Sequence, residues 1–348
     1  VKKTNSIPAF HQLSLVLDHL GANNEWPGFS IGITEEEYDT IRALINKQFH
    51  LNGWFTVENV RQSLTAWGKL LKDKNLEKWT APYEFTAAPK RVGLIMAGNI
   101  PLVGFHDLLS VVVSGHHAVV KLSSSDQTLL PALLNALFQF EPELKQQITI
   151  SAGRLGEIDA VIATGSNNSL HYFESYFGKY PHIFRRNRTS LAVLDGTETG
   201  EELNALGSDI FSYFGLGCRN VSQLFVPQDF VLDRFFEGIF PYGDIVNHHK
   251  YANNYDYNKA VFLMNREEIL DNGFLLLRES ADLHSPLGMI YYKRYSDKKE
   301  VEGFIAQQKE NLQAIVGHGY LPFGKAQSPE LWDYADGVDT LKWLSDLK

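Results

Sequence analysis

Cysteine occurs once in the 348 residues, as Cys218, so no disulfide can close within the chain. Positive charge is also scarce: 32 Lys and Arg against 41 Asp and Glu leave a formal net charge of −9. That balance argues against nucleic acid as a main partner, because such binding needs clustered cations to neutralise phosphates. No apolar run approaches the roughly 18 residues required to cross a bilayer. Val1 to Ser14 is polar and interrupted by Pro8, so no signal peptide is legible. With a single thiol and no leader, the expected compartment is the cytoplasm. Internal repeats and low-complexity tracts are lacking too, which excludes a solenoid.

What is present suits a soluble globular protein. Hydrophobic residues make up 44% and aromatic residues 12%. The length exceeds what one compact core usually holds, so two domains are expected. Residues 1 to about 88 show helical spacing, with Phe10, Leu13, Val16, Leu17 and Leu20 on one face and Ile41, Leu44 and Ile45 on another. From Arg91 the pattern changes to buried apolar runs alternating with helical stretches. The runs are Val92 to Ala97, Ala118 to Leu122, Gln147 to Ser151 and Asp159 to Ala163; a helix over Thr128 to Phe140 has Ser, Asp and Thr as candidate caps. Such alternation implies a parallel sheet covered on both faces, a Rossmann-like nucleotide-binding layout. A second series follows: a strand over Ser190 to Leu194, a helix over Glu201 to Phe214, a loop carrying Cys218, and a strand over Val221 to Val226. The expected division is therefore residues 1–188, a helical lead-in with a dinucleotide-binding domain, and 189–348, a second α/β domain with a C-terminal tail.

Cys218 stands in Phe214-Gly215-Leu216-Gly217-Cys218-Arg219-Asn220. A lone cysteine is commonly a buried, inert small hydrophobe. Here glycines at 215 and 217 allow a sharp turn and close approach of a substrate, which suits a nucleophile better than a packing residue. Asn99 follows a strand end, where its amide can stabilise charge on a carbonyl oxygen or cap a helix. Gly165 and Ser166 open a helix, whose N-terminal N–H groups suit either a phosphate or ordinary capping. Lys121 closes a buried strand, where it either meets a ligand or reaches solvent. Arg185, Arg186 and Arg188 form the densest basic group, either a phosphate site or a solvated charge run. The pairs His116-His117 and His248-His249 suggest metal, but adjacent residues rarely aim at one ion and no carboxylate cluster has ligand spacing, so none is expected.

Four of these segments, taken in order, resemble the aldehyde dehydrogenase superfamily. They are Met96-Ala97-Gly98-Asn99-Ile100-Pro101-Leu102, Ala118-Val119-Val120-Lys121-Leu122-Ser123, Ala163-Thr164-Gly165-Ser166, and the Gly-Cys218 loop leading into Leu224-Phe225-Val226-Pro227. The resemblance is closest to the LuxC-type acyl-CoA reductases, through Pro322-Phe323-Gly324-Lys325-Ala326 and Asp333-Tyr334-Ala335-Asp336-Gly337. It implies an aldehyde dehydrogenase-like fold, Cys218 as nucleophile and Asn99 as an oxyanion donor. It also implies Lys121 and Ser123 at the adenosine ribose, Gly165 and Ser166 at the pyrophosphate, and a homo-oligomer. NAD-preferring relatives carry an acid three residues after the lysine; Ser124 stands there, which favours NADPH while leaving NADH possible. The water-activating glutamate of hydrolytic relatives falls at Arg185 or Arg186, so no base aligns and thioester chemistry is favoured over hydrolysis. Arg185 and Arg186 then become candidates for the phosphates of coenzyme A. Where relatives hold the nicotinamide ribose with a glutamate, this chain offers Ser285 or His284. The implied activity is reduction of a fatty acyl-CoA to an aldehyde; an acyl-transferase or thioesterase using the same cysteine, or a silent binding protein, are the alternatives.

Overall fold

Phe10, Leu13, Val16, Leu17 and Leu20 are all buried, as their helical spacing requires, and they form the inner face of α1 (Ser6–Gly21). The computed structural model describes residues 6–85 and 88–347. Three more helices complete the lead-in: α2 (Glu35–Leu51), α3 (Val57–Leu70) and α4 (Asp73–Thr80). Thr34 and Glu37 make a reciprocal capping box that starts α2. At roughly 1.5–3 kcal/mol for each large apolar side chain buried, these faces supply much of the lead-in's stability.

The alternating segment folds as a five-stranded sheet of β1 (Arg91–Ile95), β2 (His117–Lys121), β3 (Ile148–Ile150), β4 (Ala160–Thr164) and β5 (His182–Arg185). The order is β3-β2-β1-β4-β5 and every pairing is parallel. Connections are made by α5 (Phe105–Val113), α6 (Leu129–Phe140), α7 (Leu144–Gln147) and α8 (Asn167–Phe177). Strand order reverses between β1 and β4, the place where open parallel sheets bind ligands at their carboxyl ends. Ile95 pairs with Lys121 on one side and Ala163 on the other, so the turns after β1, β2 and β4 share one edge of the sheet.

Two local expectations change. Thr128 precedes α6 but its hydroxyl caps no N–H; it bonds instead with the Gln48 amide, 3.0 Å away. Asn99 is not the cap of α5, since that helix begins only at Phe105 after Gly104.

The second unit holds β6 (Thr189–Val193), α9 (Gly200–Phe211), β7 (Val221–Pro227), α10 (Leu232–Ile239), α11 (His249–Met264), β8 (Leu270–Asp271), β9 (Leu276–Glu279), β10 (Met289–Tyr295), α12 (Lys298–Gln308) and β11 (Leu312–Gly317). Its sheet runs β11-β6-β7-β10-β9-β8, parallel except for the β8–β9 pair. β7 is central, and the cysteine loop enters its N-terminal end. Among the described residues no helix is long and apolar enough to cross a membrane.

The chain divides into Val1–Arg186 with Glu330–Lys348, and Asn187–Pro329. The expected second domain, 189–348, is therefore corrected at its end: the tail from Glu330, with its helix α13 (Thr340–Ser345), belongs to the first unit. The physical reason is local packing. Leu331, Leu341 and Leu344 are buried in the core shared with α1 and α5, and the Trp79 indole N–H donates to the Tyr334 hydroxyl at 2.8 Å.

Candidate active site

The helix expected to run to Phe214 stops at Phe211, and the backbone then turns through three consecutive left-handed residues: Tyr213 (φ 53°), Phe214 (φ 58°) and Gly215 (φ 79°). Only glycine adopts this conformation at little cost, so the two aromatics hold strain of roughly 1–2 kcal/mol each. Neighbours fix them: Tyr213 is buried, and the Phe214 ring stacks on His248 at 4.1 Å. Cys218 then lies exposed in the turn that leads into β7. Its carbonyl accepts a hydrogen bond from the buried Ser190 hydroxyl at 3.1 Å, and the Ser190 oxygen accepts from the Ala314 N–H at 3.1 Å. Arg219 donates through Nε to the Ala326 carbonyl at 2.5 Å.

Asp209, on the last turn of α9, is fully buried and accepts from the N–H groups of Gly324 (2.6 Å) and Ala326 (2.9 Å). Its role was missed in the sequence, although Pro322 to Ala326 had been singled out. Burial pushes the carboxyl up to about 6, against the opposing pull of those two N–H groups and of Arg219. Between the ordinary carboxylate value and about 6 the folded form holds a proton that the unfolded chain has released, so stability falls as pH rises through that window and is level above it. The loss amounts to roughly 3 kcal/mol for a shift of this size. We expect urea titrations between pH 4 and 7 to show this decline, and Asp209→Asn to remove it; parallel pH profiles for the two proteins would refute the assignment.

In the first unit the expected cofactor residues gather at the carboxyl edge of the sheet. Lys121 ends β2 and is exposed; Ser123 and Ser124 follow in the turn, where the Ser123 oxygen accepts the Ser125 N–H at 3.2 Å. Gly98 packs so closely on this turn that a Cβ there would lie 2.5 Å from the Ser123 oxygen, which explains the glycine. Asn99 is exposed in the turn after β1. Ser166 is the N-cap of α8 and accepts the Ser169 N–H at 3.3 Å, with Gly165 just before it. Capping and a phosphate site are compatible here, because the cap uses only one of the N–H groups at this helix start.

Arg185 requires a correction. It is only 4% exposed, and its guanidinium grips Asp107 with two hydrogen bonds of 2.6 and 3.1 Å. Further bonds reach the Ala335 carbonyl (2.8 Å) and the Thr340 hydroxyl (2.9 Å). A guanidinium committed in this way is no arm for coenzyme A phosphates, whereas Arg186 is exposed. Arg188 bonds the Leu312 carbonyl at 3.0 Å within the second unit.

Ser285, His116 and His248 have structural duties. Ser285 donates to the Met289 carbonyl at 2.7 Å, which spends its hydroxyl on its own turn; His284 beside it is exposed. His116 is buried between the Lys90 N–H and the Leu344 carbonyl, and His248 caps α11. A group not foreseen lies after β6 and β11, where Asp195, Glu198 and His318 bring side-chain atoms within 4.8 Å of one another. Each has protein partners: Glu198 accepts the N–H groups of Asp195 and Gly196, and His318 bridges Asp195 (3.1 Å) and Glu202 (2.9 Å). The group therefore ties the connection after β6 to the one after β11.

The family model for acyl-CoA reductase (LuxC) matches residues 73–234. A long-chain acyl-protein thioester reductase of Aliivibrio fischeri is 23% identical over 262 residues, which are 66% of this chain and 54% of that protein. The chain thus spans about half the length of the curated relatives it matches. Among solved structures, the lactaldehyde dehydrogenase of Escherichia coli matches with a TM-score of 0.64 and 12% identity, over 91% of this chain and 74% of that one. Aldehyde dehydrogenase 21 of Physcomitrella patens, solved with succinate, matches with a TM-score of 0.61 and 14% identity, over 90% and 77%. The fold is aldehyde dehydrogenase-like.

Proposed function

We propose that this chain, similar in sequence to the acyl-CoA reductases (LuxC) and in fold to the aldehyde dehydrogenases, reduces a fatty acyl thioester to an aldehyde through acyl-Cys218. The observation that supports this most is an exposed cysteine on a strained turn that hydrogen bonds fasten at both ends. Such a turn holds a sulfur for reaction rather than for packing.

The thiolate of Cys218 attacks the acyl carbonyl, a bond forms to sulfur, and the carrier thiolate leaves. The Cys218 N–H and the Asn99 amide are the proposed donors to the oxygen that gains charge, a role worth about 3–4 kcal/mol per donor in comparable sites. The carboxyl edge of β1, β2 and β4, with the start of α8, has the donors and the strand-order reversal that suit a dinucleotide. A reduced nicotinamide dinucleotide held there by Lys121, Ser123, Ser124, Gly165 and Ser166 would supply hydride to the acyl carbon. The carbonyl oxygen becomes that of the aldehyde, and the C–S bond breaks to return Cys218 as the thiolate. Arg186 remains the proposed contact for coenzyme A. The relatives' names mention acyl-protein thioesters, so the carrier is settled by offering both kinds. We place the enzyme in the cytoplasm as a homo-oligomer.

The test is loss of reduced-nicotinamide absorbance with a panel of acyl-CoAs and an acyl-carrier-protein thioester, together with aldehyde detection. Free acid released without cofactor consumption would identify a thioesterase, and acyl exchange without either would identify a transferase; both refute the reductase.

For cofactor choice, Ser124 is exposed where NAD-preferring relatives have an acid, so nothing there repels a 2'-phosphate. NADPH is expected to bind at least as tightly as NADH, and Ser124→Glu to weaken NADPH at least tenfold, about 1.4 kcal/mol. Fluorescence titration decides; a tenfold preference of the native chain for NADH would place control of the 2' position elsewhere.

A further inference from the structure

Asn220 lies two residues beyond Cys218, is 3% exposed, and uses both ends of its amide. Its Oδ1 accepts the Gly217 N–H at 2.8 Å, the residue just before the nucleophile. Its two Nδ2 N–H groups are shared among three carbonyls at the end of α9: Asp209 (3.1 Å), Ile210 (3.2 Å) and Ser212 (2.9 Å). Those carbonyls lie where a helix leaves its last acceptors without partners inside the helix. The backbone closes the same bracket, since the Asn220 N–H donates to the Gly217 carbonyl at 3.0 Å. On the other side of the cysteine, Ser190 holds the Cys218 carbonyl.

We propose that Asn220 is a positioning residue for Cys218, fixing the nucleophile's turn to the end of α9 so that the sulfur meets an acyl carbon in one orientation. The proposal rests on the acyl-Cys218 reading for its catalytic consequence but not for its structural content. Aspartate keeps the acceptor and loses the donors, glutamine carries its amide one methylene farther out, and serine and alanine are too short. Charge is not the means, because the amide is neutral. The effect is orientational, and a displacement of about 1 Å at a nucleophile can cost on the order of 10²-fold.

The experiment uses the full chain and Asn220→Ala, with thermal unfolding to confirm folding. Three quantities are read: deuterium uptake across residues 212–221, acylation by palmitoyl-CoA as a function of concentration, and iodoacetamide alkylation at pH 9. Because Cys218 is the sole cysteine, intact mass reports its modification directly. Uptake at Gly217 should rise at least tenfold. The saturating acylation rate should fall about 100-fold with half-saturation unchanged within threefold. Alkylation, which needs little orientation, should stay within threefold. A folded variant with unchanged uptake or an unchanged saturating rate overturns the proposal, as does an equal loss of alkylation and acylation.

If Asn220→Ala does not fold, Ser190→Ala loosens the same turn from its other side. It should raise uptake across the segment and lower the saturating rate at least tenfold; no change in either refutes the bracket. Should the native chain take up no acyl group, the reductase reading fails by itself. Deuterium uptake then decides the positioning claim, for or against.

Discussion

Cys218→Ala should take up no acyl group when mixed with acyl-CoA, a loss of roughly 10⁴-fold or more, as when the nucleophile of other covalent enzymes is removed. The 348 residues contain no second sulfhydryl to substitute for it. Binding of NADPH should persist nearly unchanged, because Lys121, Ser123 and Ser166 belong to a different folding unit from the cysteine. Intact-mass measurement after mixing, set beside cofactor fluorescence, tests both halves. An adduct of acyl mass on the variant would move the nucleophile elsewhere and remove the basis for the reductase assignment. Loss of NADPH binding together with acylation would instead show that the substitution disrupts the fold.

The second large effect is on stability. Arg185→Ala should destabilise the first unit by about 3–5 kcal/mol, since it leaves the buried Asp107 carboxylate with its guanidinium removed. Arg185→Lys should recover little, because an ammonium cannot make the paired bonds to Asp107 and also reach Ala335 and Thr340. Glutamate at this place would set two carboxylates against each other and unfold the unit before any hydrolysis could be observed. An exchange of Arg185 and Asp107 together for apolar residues should restore much of the loss, because a buried pair is costly mainly when only one partner remains. Thermal melts of the four variants are the check; a melt of Arg185→Ala within about 2 °C of the native protein would show that the pair carries little of the fold's stability.

These two effects mark what local sequence reveals and what it does not. The strands of the first sheet were legible because β1, β2 and β4 are buried on both faces and read as continuous apolar runs. The cysteine turn was legible through its glycines. β5 was not: His182-Ile183-Phe184-Arg185 ends in what looks like a solvated charge run, and the charge becomes a core residue only through Asp107, 78 residues earlier. The early stop of α9 was likewise hidden, since bulky Tyr213 and Phe214 give no local signal for left-handed backbone. Their conformation is imposed by contacts with His248 and by Asn220 gripping the helix end. The tail was assigned to its nearest neighbours in sequence, whereas Tyr334 bonds Trp79 from 255 residues away.

The return of that tail bears on how the protein is made. A ribosome delivers β1 to β5 early, yet the core they share with Leu331, Leu341 and Leu344 stays incomplete until residues 330–347 have emerged. Asn187–Pro329, by contrast, is an uninterrupted stretch whose sheet can close while the earlier part still waits. The cysteine-bearing part is thus able to mature ahead of the five-stranded sheet that precedes it in the gene. During that interval Arg185 lacks Ala335 and Thr340, and a chaperone or protease would meet an unfinished N-terminal half beside a finished insertion.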